Sequence, residues 1–286
     1  MAIAAALELI NDYVSLDRPA FSLAAVGLLV TSLSIFLVFR VNEGYARWWE
    51  ARTLWGQLVN SSRGFSRQVV TLIREDTGER ATSLATLQLH RELIYRQIAF
   101  VNSLRLSLRK QDNWAEIQQF LEENDAAGIS EAINKPTYLL QRQGEQLSEA
   151  RSHGVLSELG QNQLDRTLSQ LHDVQGSCER IKNTPFPENL TFVTRSVAWI
   201  MAITIAIAVM DPGNMFDPVD MIVVPVLMLS FVLIERLGAE LKNPFENAPN
   251  DIPMTALCRS VERELRQILG EKTLPAPVDA ENGILM

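Results

Sequence analysis

The 286-residue sequence is short of the residues that most enzyme and scaffold chemistries need. It has only two cysteines, Cys178 and Cys258, far apart and in no CxxC arrangement, which excludes a disulfide framework and fits a reducing compartment. Its three histidines, His90, His153 and His172, are isolated from one another, and no HExxH, GxSxG, P-loop or GxGxxG accompanies them. Carboxylate pairs such as Glu122 and Glu123 occupy adjacent positions rather than one helix face, the arrangement of solvated charge rather than of acid–base catalysis. The formal charge of −8 argues against nucleic acid as a partner, since phosphate binding needs a clustered Lys/Arg surface. With 14 Gly, 12 Pro and no low-complexity stretch there is no flexible linker, and no repeat of fixed period suggests a solenoid. The opening Met1-Ala2-Ile3-Ala4 lacks the basic region of a signal peptide, and Glu8 interrupts the first apolar stretch.

What is present is hydrophobicity in concentrated form. A chain that is 47% hydrophobic and 21% charged, with a mean hydropathy of +0.03, must segregate the two kinds of residue. Residues 1–39 are apolar, broken at Asn11-Asp12 and Asp17-Arg18-Pro19, and the nineteen residues from Phe21 to Phe39 carry no charge. As a helix that run reaches roughly 28 Å, close to the hydrocarbon thickness of a bilayer. Apolar character returns in residues 188–237, where Val197–Met210 and Met221–Ile234 are each fourteen residues without charge. Neither run contains a carboxylate of the kind a coupled transporter carries at the midplane, although Pro225 can kink the second. The Asp211–Asp220 linker has three Asp and no Lys or Arg. The outer flanks carry Arg180, Lys182, Arg236 and Lys242, and the segment after Phe39 carries Arg40, Arg47, Arg52, Arg63 and Arg67. By the positive-inside rule both hairpins have their ends in the cytoplasm, which predicts cytoplasmic termini. Arg195, two residues before an apolar run, calls for a partner carboxylate, with Glu235 as a candidate.

Residues 40–187 differ in kind. Leu87, Leu89, Leu93 and Ile94 recur at helical spacing with Glu and Arg on the other faces, and nothing alternates with period two. Turn signals at Asn124-Asp125, Gly128, Lys135-Pro136 and His153-Gly154 predict several helices. The tail has one helix, from about Thr255 to Leu269, with Leu257, Val261, Leu265 and Leu269 on one face, and a loose end after Pro275. The expected fold is therefore all-α: an integral membrane helical subunit with a cytosolic helical bundle. It divides into a membrane hairpin at 1–39, a cytosolic region at 40–187, a second hairpin at 188–237 and a cytosolic segment at 238–286. Pattern and charge alone imply a helical membrane protein; they do not say what it does.

Three motifs go further. The run from Phe39-Arg40-Val41-Asn42-Glu43-Gly44-Tyr45-Ala46-Arg47-Trp48-Trp49-Glu50-Ala51-Arg52 to Leu54-Trp55-Gly56 resembles the bestrophin family. So does Leu241-Lys242-Asn243-Pro244-Phe245-Glu246, and Cys178-Glu179-Arg180-Ile181 with Asn183-Thr184-Pro185 is similar to its bacterial branch. The resemblance covers about residues 20–275. It implies a homopentameric channel for monovalent ions in the bacterial inner membrane, with four spans per subunit, an apolar neck and a cytosolic aperture, and it calls for no cofactor. The family's neck positions, spaced i, i+4 and i+8, fall on Thr31, Ile35 and Phe39, a row that drifts only about 80° around a helix. Thr31 departs from the mostly apolar pattern and leaves the outer ring wetter. The aperture falls on Leu159, with Glu158 as its charged neighbour.

Animal relatives bind Ca²⁺ through a run of acidic residues where this chain has Glu246-Asn247-Ala248-Pro249-Asn250-Asp251, so no metal site and no Ca²⁺ activation are expected. The aromatic and basic cluster of Tyr45, Arg47, Trp48, Trp49, Arg52 and Trp55 reads as an interfacial belt with packing, or as a ligand-binding or nucleic-acid patch, and its position immediately after a span favours the belt. The family usually starts further upstream. Only Ala2–Leu7, Leu9 and Ile10 precede Asn11 here, so the first helix is shortened or the start lies before Met1. The sign of the ion stays open: animal members pass anions, bacterial ones can favour cations, and the acidic soluble part favours cations. A membrane-anchored scaffold or signalling protein is the competing reading.

Overall fold

The computed structural model describes residues 23–75, 83–184, 188–209, 218–280 and 285. The stretch Ala2–Ile10, the first two residues of the Phe21–Phe39 run, Pro185 and the linker from Asp211 to Asp217 lie outside the described residues. Among the described residues there are nine helices: α1 Leu23–Leu72, α2 Leu84–Arg109, α3 Ala115–Gln118, α4 Glu123–Glu131, α5 Lys135–Ser152, α6 Glu158–Asn183, α7 Glu188–Val209, α8 Pro218–Glu240 and α9 Met254–Ile268. They include no strand; a single antiparallel bridge joins Ile73 to Leu156. The chain divides into two compact units, Met1–Glu43 with Pro187–Ala239, and Gly44–Phe186 with Glu240–Met286.

The first unit has a narrow core. Leu33 and Leu37 of α1 meet Ala198, Ala202 and Ile205 of α7, with Met228 and Phe231 of α8 against them. The small alanines let the helices approach closely, which is how helices associate where no hydrophobic effect drives them together. Hydroxyls are consumed locally: Thr31, Ser34, Thr204 and Ser230 each donate to the carbonyl four residues back at 2.8 Å. That keeps a polar side chain satisfied in an apolar medium. The helices α7 and α8 run for 22 and 23 residues, longer than the charge-free runs inside them. At 1.5 Å per residue each is roughly 33 Å long or slightly more. By length and composition alone, Gly27–Leu72 is the one described helix able to cross a membrane, and Arg195–Ile205 is a shorter apolar stretch.

The second unit is a helical bundle with an extensive buried core. Its core is continuous, from Trp55, Phe65 and Val69 of α1 through Ile94, Phe100 and Leu104 of α2 to Val261 and Leu265 of α9. Helix α2 packs on α5 and α9, and α5 on α6. Side chains cap the helix starts: Ser83 accepts from the Thr86 amide, Asn134 from Thr137 and Ser157 from Gly160. Each such cap is worth on the order of 1 kcal/mol. One buried polar chain runs through the unit, in which Gln143 donates to Gln97 and Gln97 to Ser62, each at 2.9 Å. Cys178 and Cys258 are free and buried, and burial pushes both thiols up to about 12.

Two turn expectations are corrected. Asn124-Asp125 and Gly128 lie within α4, not between helices. Asp125 is buried and accepts from Arg96 at 2.6 Å and Arg142 at 2.8 Å, so tertiary ion pairs override its turn preference. Gly128 marks no turn; it lacks a side chain because Tyr138 fills the space a Cβ would take. The break expected at His153–Gly154 is present, and others come at Ala132–Asn134 and after Lys110, whose left-handed φ of 52° ends α2. Helix α1 is also not interrupted at Phe39-Arg40, where the composition changes, and continues to Leu72.

Candidate functional site

Helix α1 between Gly27 and Phe39 carries no charge on any side, yet only one face is covered. Leu33 and Leu37 are 0% and 3% exposed against α7 and α8, and Arg40 continues that buried stripe. On the other side, Ile35 is 53% and Phe39 65% exposed, and Thr31 is exposed in the same row. The three positions that sequence reasoning singled out thus form one uncovered line along the helix. The Thr31 hydroxyl proton is spent on the Gly27 carbonyl at 2.8 Å, which leaves its oxygen to act only as an acceptor.

Arg40 donates from Nη2 to Glu235 Oε1 of α8 at 2.8 Å, with both side chains largely buried. Arg195 Nε stands 3.9 Å from the same oxygen and is mostly exposed. The partner expected for Arg195 is therefore bound more tightly by Arg40. Sequence reasoning missed this pair; its only signal was an arginine and a glutamate each placed at the edge of an apolar run.

In the second unit Glu158 and Leu159 begin α6. Ser157 caps the helix, Leu156 is buried, and Gly160 is buried against it, so the first turn is held while Leu159 is 74% exposed. Glu158 suits a helix N-terminus electrostatically. Its contact with Arg151 at 3.5 Å is an exposed pair of little energetic weight. The approach to this turn is tied down, because the Arg74 amide donates to the Val155 carbonyl at 2.8 Å and Ile73 bridges Leu156. His90 Nε2 lies 3.0 Å from the Ile73 carbonyl. Burial, the largest influence, lowers the His90 pKa and the Arg74 charge lowers it further, against the pull of that carbonyl.

The aromatic and basic cluster divides by role. Trp55 is fully buried, and Trp48 donates to the Asn250 carbonyl at 3.0 Å. Arg47 donates to the Ile181 carbonyl and, at 2.8 Å, to that of Thr184, covering the open C-terminal end of α6. Tyr45 and Trp49 are exposed and stack with their rings 6.2 Å apart. This favours belt and packing over a ligand patch, since the guanidinium of Arg47 is already engaged.

Around Phe245, which is buried, the loop closes on itself. Lys182 Nζ lies 2.8 Å from Glu246 Oε1, and Asp251 Oδ2 accepts the Ala248 amide at 3.0 Å. Burial raises the Asp251 pKa, and hydrogen bonds from the loop backbone oppose that shift. Asn247 takes a left-handed φ of 67° to make the turn. Among the described residues no group of three or more His, Cys, Asp or Glu could hold a metal ion.

The family described as Bacterial/Fungal Bestrophin protein matches residues 1–267. The chain is 31% identical over 258 residues to the voltage-dependent anion channel-forming protein YneE of Escherichia coli (strain K12), covering 90% of this chain and 80% of that protein. It is 29% identical over 261 residues to the voltage-dependent anion channel-forming protein RSc3414 of Ralstonia nicotianae, covering 91% and 80%. A crystal structure of a bacterial bestrophin homologue from Klebsiella pneumoniae is similar with a TM-score of 0.81 at 26% identity, over 95% of each chain. A variant of that homologue is similar with a TM-score of 0.80 at 27% identity, over 94% of this chain and 95% of that one.

Proposed function

Because this chain belongs to the bacterial and fungal bestrophin family, whose members are ion channels and not enzymes, we propose that it is the pore-forming subunit of a homopentameric channel for monovalent ions. Thr31, Ile35 and Phe39 line its neck, and Leu159 with Glu158 its cytosolic aperture. The observation that carries this reading is the uncovered line Thr31–Ile35–Phe39 on a helix buried along Leu33, Leu37 and Arg40. Large apolar side chains in one exposed row need either lipid or copies of themselves. Five copies around an axis would stack rings that conduct when wide and dewet when narrow. The channel sits in the bacterial inner membrane with its termini and its polar unit on the cytoplasmic side, in keeping with the basic flanks of the apolar runs.

Opening needs no Ca²⁺. The carboxylates available in the 246–251 loop are already engaged, Glu246 by the Lys182 ammonium and Asp251 by the backbone it accepts from. Too few free hard oxygens remain for a tight site. Open probability that rises with micromolar Ca²⁺ would overturn this.

The test is reconstitution in a planar bilayer. A channel passes steady current uncoupled to a second solute, whereas a membrane-anchored scaffold passes none. Phe39→Ala is expected to raise basal conductance several-fold, and unchanged current would remove Phe39 from the gate. The relatives are named as anion channels, while Glu158 and the net acidic charge of this chain favour cations. The reversal potential in a salt gradient assigns the sign.

A further inference from the structure

We infer that Glu235 is a positioning residue for the neck: by holding Arg40 it fixes the rotation of α1 and thereby the direction in which Phe39 faces. The inference rests on the reading of Phe39 as a neck residue.

Successive residues of an α-helix are turned by about 100°, so the direction of residue 40 determines that of residue 39. Leu33, Leu37 and Arg40 follow one another at spacings of four and three and form the buried stripe of α1. Leucines alone define rotation weakly in an apolar medium, since one methyl contact is much like the next. The Arg40–Glu235 pair is directional, with an N–O distance of 2.8 Å and side chains 3% and 18% exposed. Because the partners are 195 residues apart, the pair joins α1 to α8 rather than one turn of a helix to the next.

A second contact lies at the same level. Gly238, three residues after Glu235 and so on the same face of α8, is buried against α1. A Cβ there would stand 3.4 Å from Val41 Cα and 3.6 Å from the Arg40 carbonyl oxygen. The two helices therefore approach closely at Arg40 and Val41, one and two residues past Phe39, and the ion pair and the glycine together define the seat. Arg195, at 3.9 Å, adds a weaker hold on the same carboxylate from α7. A carboxylate that serves two arginines at the edge of an apolar unit is costly to keep there, and removing it deprives a buried guanidinium of this counter-charge.

The experiment uses the full chain in planar bilayers and compares Glu235→Gln in two backgrounds. In the otherwise unaltered channel, Glu235→Gln is expected to change basal current several-fold, because Phe39 is no longer aimed. In the Phe39→Ala background the same substitution is expected to add nothing, because the side chain it aims is gone. Arg40→Lys, which keeps the charge, is expected to stay near the parent current. The inference is overturned if Glu235→Gln leaves the current unchanged while Phe39→Ala raises it, or if Glu235→Gln gives an equal fold-change in both backgrounds. If Phe39→Ala itself has no effect, the neck reading falls and takes this inference with it. Should Glu235→Gln fail to assemble, as judged by size-exclusion chromatography, Glu235→Asp replaces it. That variant keeps the charge on a shorter stem, and its smaller effect is likewise expected to vanish without Phe39.

Discussion

The two units obey opposite rules about what a large apolar side chain does. In the Gly44–Phe186 unit with its C-terminal partner segment, Trp55, Phe65, Phe100 and Phe245 are all buried, and helix ends carry polar caps. In the other unit Ile35, Phe39, Ile200, Leu229 and Leu233 are exposed, while alanines take up much of the core. The first pattern is what water imposes. The second is what remains when the surrounding medium is itself apolar or is another copy of the chain, so that side-chain size ceases to predict burial. The difference teaches that exposure means different things in the two halves: surface in one, contact area still to be filled in the other.

Matched substitutions test that contrast most strongly. Phe100→Ala is expected to cost about 3–5 kcal/mol of stability through the cavity it leaves, lowering the thermal midpoint of the purified channel substantially. Phe39→Ala removes the same atoms from an uncovered site and is expected to leave the midpoint nearly unchanged. Equal losses would erase the distinction between the units. A smaller effect separates the polar unit by pH. His90 is buried, with a pKa held below its ordinary 6.5, so the unfolded chain takes up a proton first as the pH falls. Stability is therefore complete above about pH 6.5 and declines below it, toward the lowered folded value. His90→Gln is expected to flatten the loss of thermal midpoint between pH 7 and pH 5, and an unaltered slope would assign the acid sensitivity elsewhere. The smallest effect belongs to Glu158→Gln, expected to move the reversal potential a few millivolts toward anion preference because the exposed charge is largely screened. A shift in the opposite sense would show that the Glu158 charge does not favour cations in the pore.

The helical character of the chain was legible throughout, because 3.6-residue periodicity and charge-free runs both specify helix, and the family motifs are long. Local composition misled where tertiary contacts outweigh it. Asn124, Asp125 and Gly128 have turn composition, but Asp125 is committed to two arginines and Gly128 yields its space to Tyr138. The shift from apolar to basic at Arg40 marks a change of surroundings and not of backbone, so α1 runs on through it. The neck and aperture positions came from the resemblance, since a row of apolar residues on a helix is by itself ordinary. The Arg40–Glu235 pair was out of reach because no local rule connects residues so far apart, and the nearer-looking candidate, Arg195, is the weaker partner.

The two cysteines have a practical consequence for probing this protein. With both thiols buried and raised to about 12, the native chain presents almost no thiolate near neutral pH. A maleimide or methanethiosulfonate reagent should pass it by, so a cysteine introduced at Ile35 or Phe39 would report on its own accessibility with no need to strip the background first.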